Sequence, residues 1–185
     1  MHIAVGICGA SGAPIAVRLL EALRQQEVSL VVTPEGERLL ELEAGGAVLP
    51  ASRRYHHLDF ESPLASSSRV PDALVVCPCS MRTLAAIAHG LCDNLITRCA
   101  DNVLRLDRPL VVVPRETPLS LAALDNMRAL KAAGAFIVPP MLTYYYQPRT
   151  IEEMTDFAVG KVLDCLRLPH DLYRRWGEGE AGDSA

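Results

Sequence analysis

The sequence predicts an α/β protein in which a parallel β-sheet is covered by helices on both faces. Short apolar runs alternate along the chain with segments whose apolar residues recur at helical spacing. The apolar runs lack polar alternation, which is typical of parallel strands buried on both faces. A chain of 185 residues fits a single domain and is long enough to bury a core.

The individual elements can be placed in order along the chain. Strands are predicted at residues 2–8, 28–33, 73–77, 110–113 and 135–138. Helices are predicted at residues 13–26, 35–42, 80–89, 94–106, 121–133 and 151–166. Residues 43–71 carry loop signals such as "SPLASSS", and no element is predicted there. The ending "RRWGEGEAGDSA" is expected to fray, so the domain is predicted to span residues 1–175, with a flexible tail at 176–185.

Composition and charge narrow the class of protein. Half of the residues are hydrophobic, yet no uninterrupted apolar run approaches the roughly 20 residues of a membrane helix. The net charge of −4 does not favour a nucleic-acid surface. Because the first residues indicate a strand and not a signal peptide, a cytoplasmic location is expected. The six cysteines show neither framework nor zinc spacing, so reduced thiols and no metal site are expected.

Glycine and polar residues follow several predicted strands. Ligands of an open parallel sheet bind beyond the carboxyl ends of its strands. The candidates are therefore residues 9–12, Thr33, residues 80–83, and the pair Arg115 and Glu116. The glycine turn at residues 9–12 fits neither G-x-G-x-x-G nor a Walker loop, so a phosphate site and a plain strand–helix connection both stay open. Ser80 and Thr83 likewise fit either a helix cap or a hydroxyl-lined ligand site.

Six stretches of the chain resemble one family, in the same order. They are "GASGA", "CPCS-x-x-T", "NLITRCADNVL", "RPLVVVPRETPLS", "MLTYYYQP" and "LPHDLYRRW". These resemble the UbiX-like flavin prenyltransferases of the flavin-binding cysteine-decarboxylase superfamily. The resemblance implies a single Rossmann-like (flavodoxin-like) domain that assembles as a homo-dodecamer. It also implies that a dimethylallyl group passes from dimethylallyl phosphate to N5 and C6 of reduced FMN, giving prenylated FMN for a partner UbiD-type decarboxylase.

The resemblance further implies roles for residues of this chain. Those implied at the flavin are Gly9, Ala10, Ser11, Thr33, Ser80, Met81, Arg82, Thr83 and Arg115. Those implied in catalysis are Ser11, Glu43 and Glu116, with Glu116 moving protons during ring closure. Those implied at the donor are Arg105, Tyr145 and Lys161. Arg98 is a further candidate, because cations are needed to stabilise the leaving phosphate without a metal. Arg105 stands where the family commonly has lysine, and Ser67 replaces a family glycine.

Two other functions stay open at this stage. An FMN-dependent cysteine decarboxylase carries a P-A-S-A-N-T-like loop, an active-site histidine and a P-x-M-N-x-x-M-W clamp. Here "PCSMRT" has Arg82 at the asparagine position, and "LDNMRAL" does not make the clamp. A non-catalytic flavin carrier would keep the fold without the reaction. The five histidines show no ligand spacing and are expected to be structural.

Overall fold

The computed structural model describes residues 1–177 and alternates strands with helices. The strands are β1 (His2–Ile7), β2 (Glu27–Val32), β3 (Arg53–His56), β4 (Ala73–Cys79), β5 (Leu110–Pro114) and β6 (Phe136–Ile137). The helices are α1 (Ala13–Ala22), α2 (Pro34–Ala44), α3 (Met81–Ala88), α4 (Leu95–Arg105), α5 (Leu121–Ala132) and α6 (Ile151–Leu166). Two short 3₁₀ turns, Pro63–Ala65 and Ser67–Arg69, lie between β3 and β4.

The strands form one parallel sheet in the order β3-β2-β1-β4-β5-β6. The chain moves outwards from β1 to β3, returns to place β4 beside β1, and then moves outwards in the other direction. This is the order of a doubly wound Rossmann sheet, so the predicted fold class is confirmed. The strand order reverses between β1 and β4, where such sheets open a crevice at their carboxyl edge.

Two hydrophobic cores lie on opposite faces of this sheet. Successive strand residues point to opposite faces, so Ile3 and Val5 of β1 join the first core while Ala4 joins the second. Helices α1, α2 and α6 contribute to the first core, and α3, α4 and α5 contribute to the second. The sheet therefore separates α4 from α6.

Strand β3 is missing from the sequence prediction, so the expectation of no element at residues 43–71 is wrong at this point. The strand pairs with β2 from Ser29↔Arg53 to Val32↔His56. Its sequence, "RRYH", is polar and largely exposed at the sheet edge, without the apolar pattern that announces a strand. Its backbone pairing with β2, and not its own side chains, makes it a strand.

Two helix boundaries also differ from prediction. Helix α1 ends at Ala22, four residues early, because the chain must turn before it enters β2. The amide of Gln26 donates to the Leu23 carbonyl at 2.8 Å, and its side chain accepts a hydrogen bond from the N-terminal ammonium. Helix α2 extends to Ala44, which makes Glu43 a helical residue.

The end of the described chain is attached to the domain. The Arg174 carbonyl accepts a hydrogen bond from the Tyr145 hydroxyl at 3.3 Å, and the Trp176 ring packs edge-on against Tyr145. These contacts hold Arg174 and Trp176 against Tyr145. The flexible tail at residues 176–185 stays a prediction, and residues 178–185 lie outside the described part. Among residues 1–177, no helix combines the length and apolar character needed to cross a bilayer.

Candidate functional site

A cavity of about 450 Å³ opens at the carboxyl edge of the sheet, beside the strand-order reversal. Its volume lies within the roughly 300–1,000 Å³ of small-molecule sites. The N-terminal ends of α2, α3 and α4 all reach it. Its lining residues are Gly9, Thr33, Pro34, Glu35, His57, Leu58, Ser80, Arg82, Thr83, Asp93 and Asn94.

The three helices begin with side-chain caps that also line the cavity. Thr33 Oγ1 accepts a hydrogen bond from the Gly36 amide at 3.1 Å, and Asn94 Oδ1 accepts one from the Thr97 amide at 3.0 Å. Ser80 Oγ accepts the Thr83 amide at 3.3 Å and donates to Thr83 Oγ1 at 3.1 Å. The same three side chains thus cap the helices and line the cavity. Three helix N-termini aimed at one space give it a positive potential that suits an anion.

Gly9 brings backbone close to this cavity. A Cβ atom at this position would overlap the Cβ of Glu35 at the start of α2. Only glycine therefore allows the end of β1 to approach the start of α2 so closely. Ala10, the next residue, is buried, and Met81 is half-buried and packs against the second core. Neither Ala10 nor Met81 is among the cavity-lining side chains.

Charged and titratable groups stand at the cavity wall. Arg82 at the start of α3 forms an ion pair with Asp93, which precedes α4. Glu35 and His57 also line the space. Burial, together with repulsion from His56, lowers the pKa of His57, and Glu35 opposes that shift. This lowered pKa favours the neutral form of the His57 imidazole.

The sequence patterns offered no reason to select His57, because it directly follows the unpredicted strand β3. The His57 carbonyl accepts a hydrogen bond from the Leu95 amide at 2.7 Å, which ties this loop to the start of α4. Asn94 is a further lining residue that the sequence analysis did not select, although an asparagine at the start of a predicted helix is an N-cap signal. The structure thus adds an imidazole and an amide to the predicted wall.

A second cluster surrounds the N-terminus of α1. Glu43 Oε2 accepts the amides of Gly12 and Ala13 at 2.8 and 2.9 Å. Burial raises the pKa of Glu43, but these two amides, the Ser11 side chain and nearby Arg115 together lower it. Arg115 Nε donates to the Ser11 carbonyl at 3.3 Å. In this structure the Glu43 carboxylate accepts hydrogen bonds from the two amides at the start of α1, where the sequence left a phosphate site open.

Glu116 lies next to this cluster, on the exposed loop that follows β5. Its Oε1 atom accepts the amide of Thr117 at 3.0 Å. Adjacent residues of an extended chain point apart, and Arg115 turns inward to Ser11 while Glu116 is exposed. The carboxylate is thus accessible to a proton donor or acceptor from outside the domain.

Arg98 and Arg105 lie on α4 and share one carboxylate. Arg98 Nη1 and Arg105 Nε approach Asp101 Oδ2 at 3.0 and 3.2 Å. Arg98 also donates to the Ala65 carbonyl at 3.1 Å, and Arg105 donates to Asn102 Oδ1 at 2.7 Å. Two cations against one anion leave this face of α4 with a net positive charge.

Lys161 belongs to a polar group that α6 forms with the segment after it, which we name the Asp164 cluster: Lys161, Asp164, His170, Tyr173 and Arg175. Asp164 Oδ2 accepts Lys161 Nζ at 2.8 Å and the Tyr173 hydroxyl at 2.7 Å. Asp164 Oδ1 accepts Arg175 at 2.9 Å and lies 3.1 Å from the His170 ring. Burial raises the pKa of Asp164, but these donors outweigh it and hold the pKa well below its usual range.

The four residues expected at the donor phosphate are not brought together in one chain. Arg98 and Arg105 lie on α4, and Lys161 lies on α6, across the sheet. Tyr145 lies on the α6 side, where its ring packs edge-on against Phe157 of α6. Lys161 also lies ten residues into α6, about 15 Å along its axis from the N-terminal end. Within residues 1–177, no three His, Cys, Asp or Glu side chains form a group that could hold a metal ion.

A doubly wound sheet with a cavity at its switch point, lined by helix N-termini, is typical of proteins that bind a phosphorylated ligand at the carboxyl edge. Comparison with known proteins makes the class specific. The flavoprotein family matches residues 1–165. The chain belongs to this family and, within it, to the UbiX-like flavin prenyltransferases.

Similar proteins match nearly end to end. Flavin prenyltransferase UbiX of Pseudomonas aeruginosa is 39% identical, with 96% of this chain and 94% of the relative covered. The dodecameric FMN-dependent UbiX-like decarboxylase of Escherichia coli O157:H7 is 41% identical, with a TM-score of 0.90 and coverage of 95% and 99%. AnUbiX (PadA1) in complex with FMN and dimethylallyl pyrophosphate is 39% identical, with a TM-score of 0.90 and coverage of 95% and 96%.

Proposed function

We propose that this chain is a flavin prenyltransferase that joins a dimethylallyl group to N5 and C6 of reduced FMN. The observation that carries the proposal is the cavity at the switch point, built on a chain that matches UbiX relatives over nearly its full length. The chemistry of the cavity fits FMN: hydroxyls of Thr33, Ser80 and Thr83 stand at helix N-termini, which suits a phosphate. FMN, when bound in its reduced form, supplies the nucleophilic nitrogen and carbon of the reaction.

The residues around the cavity have separate roles in the proposed reaction. Gly9, Thr33, Ser80 and Thr83 hold the flavin, and Arg115 with Ser11 closes the site beside α1. Glu43 orients this turn through its two amide hydrogen bonds. Glu116, exposed at the loop, exchanges the protons that ring closure requires.

The donor site needs more than one copy of the chain. Arg98 and Arg105 lie across the sheet from Tyr145 and Lys161, so one subunit cannot place all four around one phosphate. We propose a homo-oligomer, a dodecamer as in the E. coli relative, in which neighbouring copies complete the site. Exposed apolar side chains beside Tyr145 support such an interface, namely Met141, Leu142, Tyr144 and Trp176. Arg98, Arg105 and Lys161 then stabilise the charge that develops on the departing phosphate.

The product of this reaction is prenylated FMN. Its recipient in the proposal is a UbiD-type decarboxylase, because the modified flavin is useful only to an enzyme that binds it as cofactor. The proposed location is the cytoplasm. The six cysteines, all within residues 1–177, support this location because they are free thiols, which a reducing compartment maintains.

The decisive experiment is mass spectrometry of the flavin after anaerobic incubation with reduced FMN and dimethylallyl phosphate, or with the diphosphate. The expected result is a flavin heavier by one dimethylallyl group in place of one proton. A flavin that binds but keeps its mass with both donors would establish the carrier function. Carbon dioxide released from a peptide with a C-terminal cysteine would establish the decarboxylase function.

A further inference from the structure

The charged side chains of the cavity wall, taken without the helix N-termini, carry more negative than positive charge. Glu35 and Asp93 are anionic, Arg82 is cationic and paired with Asp93, and His57 favours its neutral form. The charged side chains of the wall therefore sum to −1. A ligand with a phosphate must enter this space although its wall does not supply a matching cation. Helix N-termini offset part of the mismatch, with an effect of about half a charge each.

FMN adds close to two negative charges, since the second pKa of a phosphate monoester is about 6. An anion near an imidazole favours its protonated form and raises its pKa. His57 is the side chain in the wall that can gain a positive charge near neutral pH. Its backbone is tied to the start of α4, because the His57 carbonyl accepts the Leu95 amide at 2.7 Å.

We propose that His57 takes up a proton when FMN binds, so that an imidazolium in the cavity wall offsets the charge of the phosphate. The proposal rests on the proposed function only in taking FMN as the ligand. The groups that face His57 or share its cavity are His56 from β3, Glu35 from α2, and the paired Arg82 and Asp93 from the starts of α3 and α4.

These neighbours set the direction of the pH dependence. Burial and His56 lower the pKa of His57 in the flavin-free chain, while Glu35 opposes them. The bound phosphate raises that pKa, so the complex holds a proton that the free chain lacks at intermediate pH. FMN affinity then falls as the pH rises through this interval, by up to about tenfold per pH unit. Below the free-chain pKa both states are protonated, and the affinity no longer depends on His57.

The test is isothermal titration of FMN into the flavin-free full chain at about pH 7, in buffers with different ionisation enthalpies. The slope of heat against buffer enthalpy counts the protons taken up. Wild type is expected to take up a fraction of a proton, and His57→Gln none, because glutamine keeps a polar side chain and the backbone bond to Leu95 but cannot titrate. His56→Gln is the matched control and is expected to retain the uptake. Riboflavin, which lacks the phosphate, is expected to bind without proton uptake.

Proton uptake that is equal in wild type and His57→Gln would overturn the proposal, as would an uptake that vanishes only in His56→Gln. If the His57→Gln chain does not fold, the NMR titration of the His57 ring proton in wild type, with and without FMN, decides the matter. An upward pKa shift on binding supports the proposal, and an unchanged or lowered pKa overturns it. Failure of the proposed function alone gives a different result: FMN binds with proton uptake but does not gain mass. No FMN binding at all would overturn both proposals.

Discussion

The cavity at the carboxyl edge of the sheet and the Asp164 cluster are two polar regions of the described chain, and they are built in opposite ways. In the cavity, hydroxyls of Thr33 and Ser80 cap helices and face the ligand space at the same time. In the Asp164 cluster, a single carboxylate gathers two cations, a phenol and an imidazole. The cavity side chains surround an open space, whereas the cluster side chains surround one charged group, the Asp164 carboxylate.

The difference shows which steps one chain can perform alone. The cavity draws its wall from the ends of β1, β2 and β4, the loop after β3 and the starts of α2, α3 and α4, so one chain supplies all of it. The cluster keeps Lys161 on α6, across the sheet from Arg98 and Arg105 on α4. Flavin binding is therefore expected to be a property of the subunit, and prenyl transfer a property of the assembly.

The largest expected effect separates binding from chemistry. Glu116→Gln leaves the cavity intact and is expected to bind FMN normally while forming prenylated FMN about 10²–10⁴ times more slowly, the scale of general acid–base catalysis. Stopped-flow absorbance under anaerobic conditions measures the rate. Glu27→Gln, at the amino end of β2, is the matched control. Ring closure at the wild-type rate in Glu116→Gln would remove its assigned role.

The converse change removes binding. Ser80→Val with Thr83→Val deletes two hydroxyls from the wall, and hydrogen bonds to charged groups contribute about 1.5–3 kcal/mol each, so the Kd for FMN is expected to rise by roughly 10² or more. Fluorescence titration measures the Kd. Ser120 Oγ caps α5 by accepting the Ala123 amide. Ser120→Val removes that cap and is the control for the loss of a helix cap alone. Unchanged FMN affinity in the double variant would refute the site assignment.

The composite donor site can be tested by mixing subunits. Arg105→Ala and Lys161→Ala are each expected to weaken use of the donor, because each removes a cation from the leaving group. Co-expressed in one oligomer, they are expected to recover about a quarter of wild-type activity if one copy supplies Arg105 and another Lys161. Arg105→Lys in every copy should keep most of the rate, since it retains the charge. If mixed oligomers recover no activity, one copy supplies both Arg105 and Lys161 to each site. That result would contradict the expectation that prenyl transfer is a property of the assembly.

The smallest expected effect concerns stability in acid. The pKa of Asp164 is lowered in the folded chain, so its contribution is present above the unfolded value of about 3.9 and is lost as the pH falls towards the folded value. Asp164→Asn is expected to reduce the unfolding free energy by about 1–2 kcal/mol at neutral pH and to flatten its acid dependence. Urea denaturation across pH measures both. Asp125→Asn, in an exposed pair with Arg128, should change neither.

The sequence alone determined the elements whose pattern is local. Apolar runs predicted the central strands. Ser80 and Thr83 predicted either a helix cap or a ligand site, because helix capping depends on residues three positions apart, and the structure shows that they cap α3 and line the cavity. The ordered motifs indicated the family. Strand β3 could not be predicted, since its polar residues become a strand only by pairing with β2.

Only the tertiary structure decided which residues meet at each site. It set Glu43 on the amides of Gly12 and Ala13, about thirty residues away in sequence, and brought His57 to the cavity through the turn after β3. It also placed Lys161 and Arg105 on opposite faces of the sheet. Residue types and spacings fix the chemistry that a side chain can perform, but partners and distances depend on how the strands are ordered, and that order is a property of the whole sheet.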